Sequence, residues 1–266
     1  MTAALDTVLT ERRGHTVIIT VNRPDALNAI NSVVSDRVGD ALEQADGDRD
    51  VRVVVITGAG ERAFCAGADL KALSRGESIM PTGVHREPWG FAGYVRHHIT
   101  KPTIAAVNGF ALGGGTEIVL ASDLAVAARS ATFALPEVRR GLIASAGGII
   151  RLPRQIPRKV ALEMILTGQA IDAARAERLG LVNRVVDDGQ ALAIALELAD
   201  AIAANAPLAV QASKRVAGGI VGASVPDELL SWELSRVASA QVQTSKDFQL
   251  GIEAFAAKRD PEWEGR

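Results

Sequence analysis

The sequence predicts an α/β fold followed by a helical C-terminal region. Short runs rich in β-branched residues, each closed by a turn residue, alternate with helix-like spacing through the first two-thirds of the 266-residue chain. These apolar runs are not interrupted by polar residues at every second position, which is typical of strands covered on both faces. After about residue 158 the pattern becomes helical. We therefore expect an α/β core over residues 1–190 and a helical region over residues 191–266.

Five segments carry the strand pattern. They are residues 15–22, 51–58, 102–109, 123–129 and 131–137. Between the first two, Val34, Val38 and Leu42 recur at helical spacing and predict a helix. A strand, a glycine and a helix follow one another at Gly58 and again at Gly109, which points to a repeated unit of two strands and one helix.

Helix signals dominate the remainder of the chain. A helix over 172–180 is bounded by a capping Asp172 and a terminating Gly180. Further helices are predicted over 158–168, over 190–207 and from about Ser245 onward. The last of them places three large apolar side chains on one stripe, at Phe248, Ile252 and Phe255. An apolar helical region of this kind packs either on its own core or on another copy of the chain, and the sequence leaves both open.

Composition narrows the classes of function. Apolar residues make up 48% of the chain and charged residues 23%, with a formal net charge of -2, so the charge does not favour nucleic acid or an anionic membrane as a partner. Cys65 is the single cysteine, which fits a reducing compartment. No apolar run reaches the roughly 18 residues of a membrane span, and the first residues lack a signal-peptide core. We expect a cytoplasmic protein that binds neither nucleic acid nor membrane.

Three segments carry candidate chemistry. FCAGADLK (64–71) follows a predicted strand, GFALGGGTE (109–117) opens a helix with three consecutive glycines, and ALPEVRRG (134–141) follows an apolar strand. A glycine in a helix costs about 0.5–1 kcal/mol relative to alanine. The glycines therefore serve either close packing or the approach of a ligand oxygen to bare N–H groups. Because the run lacks the signatures of a P-loop and of a dinucleotide site, an oxyanion hole is the functional alternative.

Taken singly, the polar residues of these segments have ordinary structural explanations. Glu117 lies in the first turn of a predicted helix, where the helix dipole favours the ionised form, and Glu137 fits a solvated loop. Cys65 fits a small buried position without thiolate character. The arginines of residues 151–159 fit a solvated face. The adjacent histidines have no metal-ligand spacing with other residues, and no metal site is expected.

Taken together, the segments resemble the crotonase (enoyl-CoA hydratase/isomerase) superfamily over nearly the whole chain. The matching stretches occur in order from one end to the other, at 22–30, 63–71, 101–128, 133–143, 178–186 and 255–266. The resemblance implies a crotonase-like spiral of ββα units and a C-terminal helical region that drives formation of a homotrimer, often as a dimer of trimers. It implies an acyl-CoA thioester substrate and no cofactor, since coenzyme A is part of the substrate.

The resemblance also implies roles for individual residues. The backbone N–H groups of Ala68 and Gly114 match the family's oxyanion hole, which holds the thioester oxygen. Glu117 and Glu137 match its two catalytic glutamates: the first positions and deprotonates water, and the second exchanges the proton on Cα. Because Glu137 follows an apolar strand, we expect a raised pKa. Positions that match substrate- and CoA-binding residues are Ala66, Asp69, Leu70, Lys71, Phe255 and Lys258.

These features predict an enoyl-CoA hydratase, which adds water reversibly across the 2,3 double bond of a 2-enoyl-CoA thioester. The chain departs from many hydratases at ASAGG (144–148) and at the following Ile149 and Ile150, beside the expected acyl pocket. Features similar to carnitinyl-CoA dehydratase-type members make a dehydratase the alternative, together with a Δ3,Δ2-enoyl-CoA isomerase. A noncatalytic or RNA-binding protein of the same fold is a third reading, against which the retained glutamates and the slightly acidic charge both argue.

Overall fold

The computed structural model describes residues 6–257 and 259–266. Its strands are β1 (Val8–Arg13), β2 (Thr16–Val21), β3 (Val53–Gly58), β4 (Ala63–Cys65), β5 (Thr103–Val107), β6 (Phe110–Leu112), β7 (Leu124–Ala128), β8 (Thr132–Ala134), β9 (Ile171–Asp172) and β10 (Arg184–Val186). Its helices are α1 (Ser32–Gly47), α2 (Leu70–Ser74), α3 (Gly114–Ala121), α4 (Gly148–Gln155), α5 (Arg158–Thr167), α6 (Ala173–Arg178), α7 (Ala191–Ala203), α8 (Pro207–Ala217), α9 (Leu229–Gln243) and α10 (Lys246–Ala256).

Two sheets carry the strands. The larger sheet has six strands in the order β1–β2–β3–β5–β7–β10, parallel except for the antiparallel pair β1–β2. The smaller sheet has the order β4–β6–β8–β9, in which only the β8–β9 pair is antiparallel. From β3 to β8 the chain alternates between the sheets: β3, β4 and α2 form one turn, and β5, β6 and α3 form the next. The predicted α/β fold with ββα units is confirmed.

The larger sheet is covered on both faces, as its uninterrupted apolar strands predict. One face belongs to the main core, which includes Ile19, Val54 and Ile56. The opposite face packs on α7, where alanines at every fourth position are buried against the strands. Small side chains at this spacing let the helix approach the sheet closely. The helix that follows residue 190 therefore lies on the core sheet, and the division of the chain at that residue stays a prediction.

The helical region beyond α7 is much less covered. Helix α8 has no buried residue, whereas α9 packs on α4 and α10 packs on the short 3₁₀ turn Pro136–Arg140 that follows β8. In the described part of the chain, no single helix has the length and apolar character needed to cross a membrane. Helices α7 and α8 meet those criteria only as a pair, with a bend of 109° between them.

Candidate active site

A Cβ atom added to any of the three consecutive glycines would collide with a neighbour, and the neighbour differs for each glycine. A Cβ atom on Gly113 would lie 2.6 Å from Oε1 of Glu137, and one on Gly114 would overlap the ring of Phe91. A Cβ atom on Gly115 would overlap the carbonyl oxygen of Cys65. Gly113 also has a φ of +56°, a conformation that residues with a side chain rarely adopt. Close packing thus explains the run, and that packing brings a carboxyl oxygen to the start of α3.

The two expected donors of the oxyanion hole lie on adjoining segments. Gly67 lies against the start of α3, since a Cβ atom there would be 3.1 Å from the backbone nitrogen of Gly114. Ile30 donates to the carbonyl of Gly67 and accepts from the N–H of Asp69, both at 2.9 Å. In the described chain, neither the N–H of Ala68 nor that of Gly114 donates to a backbone acceptor. Both groups can therefore donate to a ligand oxygen.

Glu117 is a buried carboxyl group that is held by the backbone of a distant segment. Its side chain lies in the first turn of α3, and the residue is 3% exposed. The N–H of Gly148, the first residue of α4, donates to Oε1 at 2.9 Å. Burial raises the pKa of Glu117, and the nearby Glu137 raises it further, whereas hydrogen bonds from Gly148 and Ala146 act in the opposite direction.

This result corrects the expectation drawn from the helix dipole. A first-turn position favours an ionised glutamate when the side chain is exposed to water. Glu117 instead points into the protein, and the loss of hydration outweighs both the dipole and the hydrogen bonds. Its pKa is therefore raised rather than lowered.

Glu137 lies on the 3₁₀ turn Pro136–Arg140, directly after β8. Its Oε2 atom is enclosed and has no hydrogen-bond partner among the described residues. Burial raises the pKa of Glu137, against which its own backbone N–H and the positive charge of Arg140 act. The direction agrees with the expectation from the apolar strand that precedes it.

The two carboxyl groups form a pair suited to proton transfer. Burial disfavours the charged form of each, and the charge on one disfavours ionisation of the other. Such a pair titrates as a unit, and between its two ionisation steps it holds one proton shared by its two members. One member can then act as a base while the other acts as an acid.

The expected substrate-binding residues of the first segment flank Gly67, which adjoins the start of α3. Asp69 caps α2 by accepting from the N–H groups of Lys71 and Ala72, and it forms an ion pair with Arg23 at 2.8 Å. Its carboxylate is therefore used within the fold. The remaining residues of the set are the half-buried Ala66 and Leu70 and the exposed Lys71.

The expected binding residues of the last segment are placed only in part. Phe255 lies on α10 and is 44% exposed, and the guanidinium carbon of Arg140 lies 4.4 Å from the centre of its ring. This contact connects α10 to the turn that carries Glu137. Lys258 lies outside the described residues.

The arginines of residues 151–159 were expected to be solvated, and the structure corrects this expectation for Arg151. Arg151 is 6% exposed and forms an ion pair with Glu228. A signal for its burial was present in the sequence, because Gly148, Arg151 and Leu152 share one face of α4. Its partner Glu228 carries no such signal, since it is 77 residues away in the chain.

The thiol of Cys65 is explained by its place in the core rather than by a chemical role. Cys65 is buried, as expected, and burial raises the pKa of its thiol to about 12. A thiol in this environment is not a nucleophile at neutral pH. Within residues 6–257 and 259–266, no cluster of three or more histidine, cysteine, aspartate or glutamate residues is placed to hold a metal ion.

Comparison with known proteins shows which sequences this chain is similar to. The sequence model of the family described as enoyl-CoA hydratase/isomerase matches residues 11–266. The enoyl-CoA hydratase EchA19 of Mycobacterium tuberculosis is 43% identical, over 97% of this chain and 96% of its own. The carnitinyl-CoA dehydratase of Proteus mirabilis is 41% identical, over 96% and 97% respectively.

A solved structure extends the likeness to the fold. The crystal structure of carnitinyl-CoA hydratase from Mycobacterium avium is 54% identical in sequence and superposes with a TM-score of 0.96. The match covers 99% of this chain and 100% of the other. This chain belongs to the enoyl-CoA hydratase/isomerase family.

Proposed function

We propose that this protein is an enoyl-CoA hydratase, a hydro-lyase that adds water reversibly across the 2,3 double bond of a 2-enoyl-CoA thioester. The observation that carries the proposal is the convergence of two glutamates on the glycine-rich start of α3: the buried Glu117, and Glu137, whose Oε2 atom is enclosed. Hydration needs two proton-transfer groups, one for water and one for Cα. The full-length relationship to an enoyl-CoA hydratase supports the same reaction.

In the proposed mechanism the N–H groups of Ala68 and Gly114 hold the thioester oxygen. The reactive form of the pair is the one in which the shared proton lies on Glu137. In that form the ionised Glu117 takes a proton from water while the water oxygen forms a bond to Cβ. The electrons of the double bond move toward the thioester, and the resulting negative charge is stabilised by the two N–H donors. Glu137, as the protonated member, then delivers its proton to Cα. One water molecule is consumed, and the pair again holds one proton in total.

The remaining residues of the proposed site bind the coenzyme A portion of the substrate. Lys71 is exposed beside the oxyanion segment, where its ammonium group can meet a nucleotide phosphate. Ala66, Asp69 and Leu70 shape the same segment. Phe255 and Lys258 are proposed to reach coenzyme A and the acyl chain of a neighbouring subunit. The reaction as proposed needs no further cofactor.

A dehydratase that acts on a carnitinyl-CoA-like substrate is the second candidate. The observation that favours it is the 54% identity and TM-score of 0.96 with a carnitinyl-CoA hydratase. The chemistry is the same reaction, run toward loss of water from a 3-hydroxyacyl-CoA. A Δ3,Δ2-enoyl-CoA isomerase fits less well, since moving a double bond needs no group to activate water.

We propose that the protein is a homotrimer or a dimer of trimers. Helix α8 has no buried residue, and its Leu208 and Val216 are 79% and 77% exposed. Leu230 and Leu234, one turn apart on α9, are 72% and 62% exposed. Exposed apolar side chains at this density are typical of a surface that another subunit covers. We also propose that the protein is cytoplasmic and that it binds neither nucleic acid nor membranes.

An activity screen tests the proposed function. The purified protein is assayed with 2-enoyl-CoA thioesters of increasing chain length, with carnitinyl-CoA and with a 3-enoyl-CoA. We expect water addition to 2-enoyl-CoA substrates or water loss from carnitinyl-CoA. Turnover of the 3-enoyl-CoA alone would favour the isomerase, and no turnover of any thioester would contradict all three enzymatic readings.

A further inference from the structure

A buried cluster of charged and aromatic side chains lies between α4 and the start of α9, apart from the catalytic pair. Arg151 donates from Nε and Nη2 to the two carboxylate oxygens of Glu228, each at 3.0 Å. The side chains are 7% and 10% exposed. Nη1 of Arg151 donates to the carbonyl of Val95 at 2.6 Å, and Nε1 of Trp232 donates to Glu228 at 3.0 Å. The cluster therefore connects α4 to the start of α9 through charge-assisted hydrogen bonds.

The same cluster reaches the backbone that holds Glu117. Arg151 belongs to the first turn of α4, and its N–H donates to the carbonyl of Gly147 at 2.8 Å. Gly147 has a φ of +112°, and a Cβ atom there would lie 3.2 Å from the ring of Trp232. The next N–H, that of Gly148, is the one that donates to Glu117. One turn of helix thus separates the buried ion pair from the hydrogen bond at the catalytic carboxyl group.

The ion pair also affects Glu117 electrostatically. The guanidinium of Arg151 lowers the pKa of Glu117, while Glu228 neutralises that guanidinium. Arg140, on the turn after β8, also acts on the catalytic pair by lowering the pKa of Glu137. The buried thiol of Cys65, at the end of β4, is itself acted on by the charge of Glu117, which raises the pKa of the thiol. His98 faces the cluster, but burial and Arg151 lower its pKa to about 4, so it carries no charge at neutral pH.

We infer that Arg151 and Glu228 are positioning residues for Glu117: the ion pair fixes the first turn of α4 and so aims the Gly148 N–H at the catalytic carboxyl group. The inference deepens the proposed function, since it assigns the N-terminal end of α9 a part in the alignment of the water-activating group. Neither residue touches the reacting atoms. Loss of the ion pair should therefore impair the chemical step more than substrate binding.

Two variants and a control test the inference. Glu228→Gln keeps the shape and one acceptor oxygen but removes the negative charge. Arg151→Lys keeps the positive charge but cannot engage both carboxylate oxygens. Arg158→Gln, which removes an exposed arginine at the start of α5, is the matched control. Each protein is first checked for native secondary structure and assembly.

Amide hydrogen exchange is the first readout and does not depend on activity. We expect exchange at Gly148 to quicken at least ~10-fold in Glu228→Gln and in Arg151→Lys, and to stay unchanged in the control. Should Glu228→Gln fail to fold, Trp232→Phe removes the indole donor to Glu228 and part of the ring beside Gly147 while it keeps both charges, and it should show a smaller effect in the same direction. Unchanged exchange in all folded variants would overturn the inference.

Kinetics supply the second readout. We expect kcat to fall by ~10- to 10²-fold in both charge-pair variants, with KM changed by less than about threefold. In Glu228→Gln the uncompensated Arg151 should move the pH–kcat profile to lower pH, by roughly one unit, whereas Arg151→Lys should leave it in place. Parental kcat and an unmoved profile would contradict the inference. A parent without hydratase activity but with the expected exchange would instead contradict only the proposed function.

Discussion

Gly113 lies in direct contact with Glu137, so closely that a Cβ atom on the glycine would lie 2.6 Å from Oε1 of the glutamate. The carbonyl of the same glycine accepts the N–H of Glu117 at 3.0 Å. One residue thereby contacts both members of the proposed catalytic pair. The space that its missing side chain leaves is occupied by a carboxyl group.

Replacing Gly113 with alanine should damage catalysis without removing any functional group. The new Cβ would displace Glu137, and the φ of +56° would add strain of about 1–3 kcal/mol. We expect kcat/KM to fall by at least ~10²-fold, measured with the best thioester substrate. Gly47→Ala is the control, because a Cβ there meets nothing within 4 Å. It should retain activity and gain up to about 1 kcal/mol in stability.

Glu117→Gln should stabilise the folded protein at high pH. Burial raises the pKa of Glu117 above its ordinary value of 4.5. At a pH between that value and the raised pKa, the folded state keeps a proton on this group that the unfolded chain releases. Stability from this group is complete below that ordinary value and is lost as pH rises through the folded-state pKa. Glutamine, which stays neutral, avoids the loss.

Denaturant unfolding of the parent and of Glu117→Gln at pH 5 and pH 9 measures this effect. We expect the difference in unfolding free energy to favour the variant by more at pH 9 than at pH 5. A difference that is constant with pH would show that Glu117 ionises as freely in the folded state as in the unfolded chain.

The charge of Arg140 should tune the proton-delivering group. Its guanidinium acts against the effect of burial on the pKa of Glu137. Arg140→Gln should therefore raise that pKa and move the pH profile of kcat/KM to higher pH, by on the order of half a unit or more. Arg139→Gln is the matched control: Arg139 is exposed, and its Nε donates to the carbonyl of Thr167 at 2.8 Å. Equal profiles for both variants would contradict the assignment.

Paired charges on α9 should dissociate the proposed trimer. Leu230→Glu with Leu234→Glu places two like charges on the exposed apolar face, where a subunit contact would have to bury them. Light scattering at micromolar concentration should give about three or six times the 27.9 kDa chain mass for the parent and a smaller species for the double variant. Val84→Glu, at an 87% exposed site outside that face, should assemble like the parent. A monomeric parent would contradict the trimer.

The strands that are buried on both faces could be predicted from their sequence. Three neighbouring strands of the larger sheet, β3, β5 and β7, consist of apolar runs that are not typical of loops. The ends of each were predicted to within two residues. Strand β1 was not predicted, because only Val8 of its six residues is buried and it has no apolar face. The helix cap Asp172 was predicted correctly from local chemistry alone. The last helix was predicted to begin near Ser245, and the structure makes Ser245 its N-cap.

The candidate site was predictable as a set of residues but not as an environment. Glu117, Glu137 and the glycine run lie within a short stretch with recognisable chemistry. The hydrogen bond to Gly148 and the ion pair of Arg151 with Glu228 join segments 31 and 77 residues apart. Such contacts depend on how the helices pack, which no local pattern encodes. For this reason the pKa direction of Glu117 was wrong in the sequence-based expectation.

The central claim is that Glu117 activates water while Glu137 transfers the Cα proton. The most direct test follows hydration of crotonyl-CoA and isomerisation of a 3-enoyl-CoA side by side in Glu117→Gln and Glu137→Gln. Glu137→Gln should abolish both reactions. Glu117→Gln should lower hydration by at least ~10²-fold while retaining more of any isomerase activity. If Glu117→Gln hydrates crotonyl-CoA like the parent, the two-glutamate account is contradicted and the isomerase reading takes its place.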